Sequence, residues 1–239
     1  MHKLALVGKK IQHSKSPDIY RKLVGSLIEY DLLDYQSEEE IPRADQLFKE
    51  YLGISITSPY KKHFLPQVRL SKMAQKLGAI NCLVKRDGEI WGENTDYLAI
   101  VEILSRFKSK FGLLSVVILG DGVMSQVTTL ALDELNIDHK IYSRKTHPKL
   151  SSLNLIDCFN QDFTTQSKPI IINTCAREFV FAGICPKDAI FWDYNYEFAP
   201  HQAEIPKLVE LYVDGMEMLT IQAQFALVFW STTTSLLNY

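Results

Sequence analysis

Apolar residues in this chain fall into short runs and helical repeats that alternate along the sequence. The run Leu4–Val7, closed by Gly8, predicts a buried strand. Ser16-Pro17 reads as a helix start, with Ser16 as N-cap and Pro17 in the first helical position. Ile19, Tyr20, Leu23, Val24 and Leu27 then recur at helical spacing. Tyr30–Tyr35 predicts a second strand, Ile41–Leu52 a second helix and Gly53–Thr57 a third strand. Ser58-Pro59 repeats the Ser-Pro signature and predicts a further helix. Ser71–Leu77 is helical in period, with Gly78 as its stop. Ile80–Val84 and Glu89–Gly92 flank Asp87-Gly88, a strong hairpin signal.

The second half repeats the alternation. Tyr97–Phe107 is helical, and Ser115–Leu119 is a β-branched run followed at once by Gly120-Asp121-Gly122 and a helix through Leu135. Lys140–Ser143, Pro169–Thr174, Ala189–Tyr194 and Leu211–Val213 read as strands, residues 146–168 mostly as loop, and Gly215–Leu237 as a long apolar helix. Strands alternating with helices predict an α/β fold.

Composition narrows the class without naming a chemistry. The chain has 239 residues, enough for one large domain or two small ones. Its 26 Lys+Arg against 28 Asp+Glu lack the basic excess of a nucleic-acid binder. Cys82, Cys158, Cys175 and Cys185 have no zinc spacing, so no metal site is expected, and their sparseness suits a reducing compartment. The N-terminal apolar run is too short for a signal peptide, and no 18-residue apolar stretch would span a membrane. The expected location is the cytoplasm.

Several constellations carry chemistry. Gly120-x-Gly122-x-x-Ser125, between a predicted strand and helix, is either a tight turn or a cradle for a pyrophosphate at a helix N-terminus. Asp121 weighs against the cradle unless its carboxylate points away. The next strand ends in Ser143-Arg144-Lys145 with no acid, which favours NADP over NAD unless the loop is simply a solvated basic one. Ser14 and Ser16 offer two hydroxyls at a helix start, suited to a small carboxylate or to capping alone. Lys61 and Lys62 fall in a predicted first helical turn, where the dipole is already positive. One of them is a candidate for proton transfer and the other an exposed bystander. Asp96 reads locally as an N-cap, or else as the partner of a catalytic cation.

In order along the chain, these blocks resemble the shikimate dehydrogenase family. The resemblance rests on His13-Ser14-Lys15-Ser16-Pro17, Ile56-Thr57-Ser58-Pro59-Tyr60-Lys61, Gly78-Ala79-Ile80-Asn81, Gly92-Glu93-Asn94-Thr95-Asp96, the Gly120 loop, Ile172-Asn173, and Asp214-Gly215-Met216-Glu217-Met218-Leu219-x-x-Gln222. It implies two domains: residues 1–98 plus 216–239 binding substrate, and a Rossmann-like NADP-binding domain over 99–215. It also implies NADP-dependent interconversion of 3-dehydroshikimate and shikimate, a small-molecule substrate and a monomer or homodimer.

Carried over residue by residue, Lys61 and Asp96 would be the catalytic pair. Ser14 and Ser16 would hold the substrate carboxylate, and Thr57, Asn81 and Gln222 its ring hydroxyls together with Asp96, with Tyr196 nearby. The cofactor would meet Gly120, Gly122, Ser125, Ser143, Arg144, Lys145, Asn173, Gly215 and Met218. The chain departs from the family at Ser55, Cys82, Asp121, the neighbours of Arg144, the Asn173–Ala176 stretch and Glu217, so the substrate blocks are kept better than the cofactor blocks. Two alternatives follow: a non-catalytic homologue that senses a shikimate-like acid, and a quinate or shikimate dehydrogenase that uses NAD.

Overall fold

The computed structural model describes residues 2–163 and 167–231. The chain divides into two compact units, Met1–Ala99 with Leu219–Tyr239, and Ile100–Met218. Both divides fall inside helices, a little C-terminal to the boundaries expected from the sequence.

The first unit is a six-stranded mixed sheet with helical connections. Its elements are β1 (His2–Gly8), α1 (Ser16–Val24), β2 (Ile28–Asp34), α2 (Ala44–Leu47), β3 (Gly53–Ile56), β4 (Arg69–Leu70), α3 (Lys72–Leu77), β5 (Cys82–Arg86) and β6 (Glu89–Glu93), followed by the start of α4 (Thr95–Phe111). The strand order is β2-β1-β3-β5-β6-β4. β1 runs parallel to β2 and β3, whereas β5 is antiparallel to both β3 and β6. The C-terminal ends of β3 and β6 and the N-terminal end of β5 therefore meet on one side, with Ser55 opposite Cys82 and Cys82 opposite Glu93.

The helix expected over Ser71–Leu77 runs from Lys72, with Ser71 as its cap accepting from the Ala74 N–H, and Gly78 ends it at φ 59 as read from the sequence. Asp87-Gly88 turns the hairpin with both residues at positive φ. The helix predicted over Ile41–Leu52 shrinks to the single turn of α2. Ile41 is held extended before Pro42, and the chain must reach β3 at Gly53.

A second expectation fails more informatively. No helix starts at Ser58-Pro59; the peptide is cis and residues 57–64 form a run of turns. The Thr57 carbonyl accepts from the Tyr60 N–H, and the Lys61 carbonyl accepts from the Ile80 N–H on the opposite segment, so neither serves an i+4 donor. The helix-dipole argument for Lys61 falls with that helix. The unit's last described element is α8 (Met216–Ser231), whose Trp230 is fully buried and donates from Nε1 to the Leu83 carbonyl at 2.8 Å. The Trp230 ring lies over the backbone of Gly53 and 5.4 Å from the ring of Tyr20. The helix expected to continue past Ser231 falls outside the described residues.

The second unit contains β7 (Leu114–Leu119), α5 (Val123–Glu134), β8 (Asp138–Tyr142), α6 (Leu155–Asp162), β9 (Lys168–Asn173), β10 (Ile190–Asp193), α7 (Ala199–Glu204) and β11 (Leu211–Val213). Its sheet is parallel throughout, in the order β11-β10-β9-β7-β8. Every residue of β7 and β10 is buried, as expected for strands covered on both faces. The strand order reverses at β7 and β9, and in such sheets ligands bind beyond the carboxyl ends at that switch point.

Part of the predicted loop 146–168 is instead helix α6. Asn154 caps it through the Ile156 N–H, and Leu155, Cys158 and Phe159 form its buried stripe. Among the described residues no strand is added to the sheet beyond β8, so the unit is a compact Rossmann-like variant.

Candidate active site

Two hydroxyls open the site of the first unit. Ser14 Oγ accepts from the Ser16 N–H at 3.3 Å and lies 3.2 Å from Ser16 Oγ. Ser16 is thus the first residue of α1 rather than its cap; Lys15 holds the cap position without capping the helix through its side chain. Ser16 is free of the capping role that the sequence offered it, while Ser14 Oγ takes up the first N–H of α1.

The turn after β3 presents Lys61. Tyr60 and Phe64, on either side, are fully buried, and Tyr60 OH donates to the Tyr35 carbonyl at 2.8 Å. With those anchors inward, Lys61 extends to Asp96, Nζ to Oδ2 at 2.6 Å. The side chains are only 11% and 12% exposed, whereas Lys62 is on the surface and is the bystander. Asp96 does not cap α4. That role belongs to Asn94, whose Oδ1 accepts from the Tyr97 N–H while its Nδ2 donates to the Ala79 carbonyl. Asp96 is thereby left, in the first turn of α4, to face the cation.

A buried amide cluster stands beside this pair. Asn81 Oδ1 accepts from the Thr95 N–H at 2.7 Å, and its Nδ2 donates to Thr95 Oγ1 at 3.0 Å and reaches Gln222 Oε1 at 3.4 Å. Gln222 Nε2 donates to the Leu219 carbonyl, which fixes the amide's orientation. Thr95, not singled out from the sequence, is the hub of the cluster; its position two residues after Glu93 at the end of β6 is the only local hint. Thr57 sits at the end of β3, its N–H bonded to the Val7 carbonyl. Tyr196 belongs to the second unit, where Arg177 donates to its carbonyl.

In the second unit a cavity of about 590 Å³ opens at the switch point, walled by the Gly120 loop, Arg144 and residues after β9 from Thr174 to Val180. Gly120 is at φ +111, and a Cβ there would sit 2.7 Å from Thr174 Oγ1, so glycine is required for conformation and room alike. Gly122 is the N-cap of α5 and brings no side chain, so the first-turn N–H groups of α5 remain available to an anion. Gly215 lies against the Tyr194 carbonyl, where a Cβ would collide, and Met218 is buried in the first turn of α8.

Three expected cofactor contacts are turned inward. Ser125 is 1% exposed, so its small side chain serves the close approach of α5 to the sheet. Ser143 Oγ accepts from the Lys145 N–H and shapes the turn after β8. Asn173 spends its amide on Asp193 Oδ1 and the Cys175 N–H. Asp121 pairs with Lys145, Oδ2 to Nζ at 2.8 Å, and that contact holds its carboxyl below the ordinary range. The donor set still fits a dinucleotide: a glycine turn, an open helix N-terminus and an Arg144 guanidinium with no hydrogen bond or ion pair among the described residues.

Deeper in this unit, His201 Nδ1 lies 2.5 Å from Asp193 Oδ2 and its Nε2 accepts from the Phe181 N–H, with His201 and Asp193 wholly buried. The dyad ties the wall of the cavity, residues 178–181, to the end of β10. Among the described residues no cluster could hold a metal ion, and no helix is long and apolar enough to cross a membrane.

Comparison with known proteins gives a consistent result. The shikimate dehydrogenase substrate-binding domain matches residues 6–83. A shikimate dehydrogenase (NADP(+)) of Clostridium botulinum (strain Loch Maree / Type A3) is 27% identical over 251 residues, covering 96% of each chain. A shikimate 5-dehydrogenase of Thermus thermophilus, solved with NADP(H) and shikimate, superimposes with a TM-score of 0.71 at 20% identity, covering 98% of this chain and 95% of that one. A quinate dehydrogenase of Corynebacterium glutamicum, solved with NAD, does so at 0.70 and 20%, covering 97% and 94%. At these identities the two structures speak to fold.

Proposed function

We propose that this chain, which belongs to the shikimate dehydrogenase family, is an NADP-dependent oxidoreductase that interconverts 3-dehydroshikimate and shikimate. The observation that carries the reading is the Lys61–Asp96 pair, 2.6 Å apart and mostly screened from water, next to a buried amide cluster and in the same unit as two paired serine hydroxyls. A non-catalytic acid sensor would need the hydroxyls and amides but not a cation held for proton transfer.

Roles follow from the chemistry of ketone reduction. Ser14 and Ser16 donate to the substrate carboxylate. Asn81, Thr57 and Gln222 select the ring hydroxyls, with Thr95 fixing the Asn81 amide. The cofactor, when bound, supplies the hydride. Negative charge then builds on the carbonyl oxygen, and Lys61 donates a proton to it; in the oxidation direction the neutral amine takes that proton back. Asp96 accepts from Lys61 Nζ, holds the amine at one position and shares the ring hydroxyls. In the second unit, the Gly120 turn and the start of α5 receive the pyrophosphate, and Arg144 faces the ribose phosphate. Ser125, Ser143 and Asn173 act by shaping this site. The enzyme works in the cytoplasm, as a monomer or homodimer.

The test is direct. Protein, shikimate and NADP⁺ are mixed and NADPH absorbance is followed, with Lys61→Ala as control. Substrate-dependent NADPH formation that the control lacks supports the reading. Shikimate binding by calorimetry without any turnover would replace it with the sensor.

A further inference from the structure

Asp121 stands between the two glycines of the turn at the mouth of the second unit's cavity, and its carboxylate is committed to Lys145 at 2.8 Å. The basic turn that carries Lys145 is fixed from beneath. Ser143 Oγ accepts from the Lys145 N–H, and the Ser143 carbonyl accepts from the Thr146 and His147 N–H groups. Two other cations nearby are occupied: Arg177 donates to the Tyr196 and Glu197 carbonyls, and His147 packs on Tyr142 with Nδ1 against Thr146 Oγ1. An anion arriving at this turn thus meets one uncommitted guanidinium, Arg144, the exposed ammonium of Lys149 further along the chain, and one ammonium, Lys145, that already has a carboxylate.

We propose that Asp121 is a specificity-determining residue that competes with the cofactor's 2′-phosphate for Lys145 and so narrows the preference for NADP over NAD. The proposal rests on the reading that the second unit holds a nicotinamide dinucleotide. Two electrostatic effects of Asp121 must be separated. Its repulsion of the pyrophosphate falls on both cofactors alike, because both carry that group. Its hold on Lys145 falls on NADP alone, because only NADP brings a phosphate that needs the ammonium. The pair is exposed, 83% at Lys145 and 43% at Asp121, so the contact is easily broken and its effect is modest. It sets a ratio between cofactors rather than forbidding one.

Calorimetric titration of NADP⁺ and NAD⁺ into the wild type, Asp121→Asn, Lys145→Ala and the double variant tests this, with thermal melting as a check on folding. Asp121→Asn should tighten NADP⁺ by about 1.5- to fivefold, the range expected for one freed surface charge, and NAD⁺ distinctly less. Lys145→Ala should remove that selective gain, so that in the double variant both cofactors respond equally. Equal tightening of both cofactors by Asp121→Asn, no tightening at all, or a selective gain that survives without Lys145 would each overturn the proposal. A wild type that binds NADP⁺ while the variants behave in one of those ways leaves the proposed function standing. A wild type that binds neither dinucleotide removes both.

Discussion

Lys61 Nζ and Asp96 Oδ2 are 2.6 Å apart, and the two residues reach each other from a turn after β3 and from the first turn of α4. Neither position is set by the other's local sequence. The turn is fixed by the buried rings of Tyr60 and Phe64, and the helix start by Asn94. The pair is therefore preorganised by groups that take no part in the chemistry, which is what a proton-transfer site needs.

Replacing Lys61 by Ala should lower kcat by about 10²–10⁴-fold, the usual worth of positioned acid–base assistance. Shikimate affinity, measured by calorimetry, should change far less. A loss smaller than tenfold in kcat would take proton transfer away from Lys61.

Asn81→Ala should raise the KM for shikimate and also lower stability. Both ends of the Asn81 amide are engaged by Thr95, so its removal strands the buried Thr95 N–H, while Thr95 Oγ1 keeps Gln222 Oε1. About 1–3 kcal/mol is expected for such an orphaned group, read as a lowered midpoint in urea. An unchanged midpoint with a raised KM would mean that Thr95 finds water instead.

His201→Ala should destabilise the second unit, by about 1–3 kcal/mol for each polar group it strands, since Asp193 Oδ2 loses its imidazole donor, while keeping Tyr212 OH, and the Phe181 N–H loses its acceptor. NADP⁺ affinity should fall with it, because the loop that follows β9 loses its tether. Chemical denaturation monitored by tryptophan fluorescence checks this through Trp192, which is wholly buried on β10.

The thiols make a pH prediction. Burial pushes Cys175 up to about 11 and Cys185 up to about 12, and raises Cys82 and Cys158 as well. Since only the thiolate reacts, a chromogenic disulfide reagent at pH 8 should label the folded protein slowly and the denatured protein at all four cysteines. Unfolded thiols ionise near about 8.5, so above that pH the unfolded state sheds protons that the native state keeps. Stability should accordingly fall as pH rises from there through the native values. Rapid labelling of the native protein at pH 8 would contradict the burial.

Much of the fold was legible because local signals and tertiary demands agreed. Gly78 and Asp87-Gly88 mark boundaries that backbone geometry alone sets, and Ser71 one set by its hydroxyl. Strands β7, β9 and β10 of the second unit were legible because both faces are buried, leaving unbroken apolar runs. Ser58-Pro59 misled because its helix signal is local while the Lys61 carbonyl is claimed by Ile80, a partner far along the chain. Helix α6 was hidden by its polar outer face, with only Leu155, Cys158 and Phe159 to mark the inner one.

The candidate site shows the same division. Lys61, Asp96, Asn81 and Gln222 were legible as a set only through their order in the chain. Thr95 was missed because a hydroxyl beside a stronger acid draws no attention until its partners are seen. Ser125, Ser143 and Asn173 carry the right residue types but are spent on packing and turns, which no linear pattern reveals.

Trp230 closes the face of the first unit over Gly53, and this orders events during synthesis. On the ribosome, β1 to β6 are made first, yet the core they share with Trp230 stays open until α8 has left the exit tunnel. The intervening residues, Ile100–Met218, form a contiguous segment that holds its own sheet. The sheet of the first unit, translated before the second unit, is thus completed after it, and a chain stopped before Trp230 would carry a finished second unit and an unsealed first.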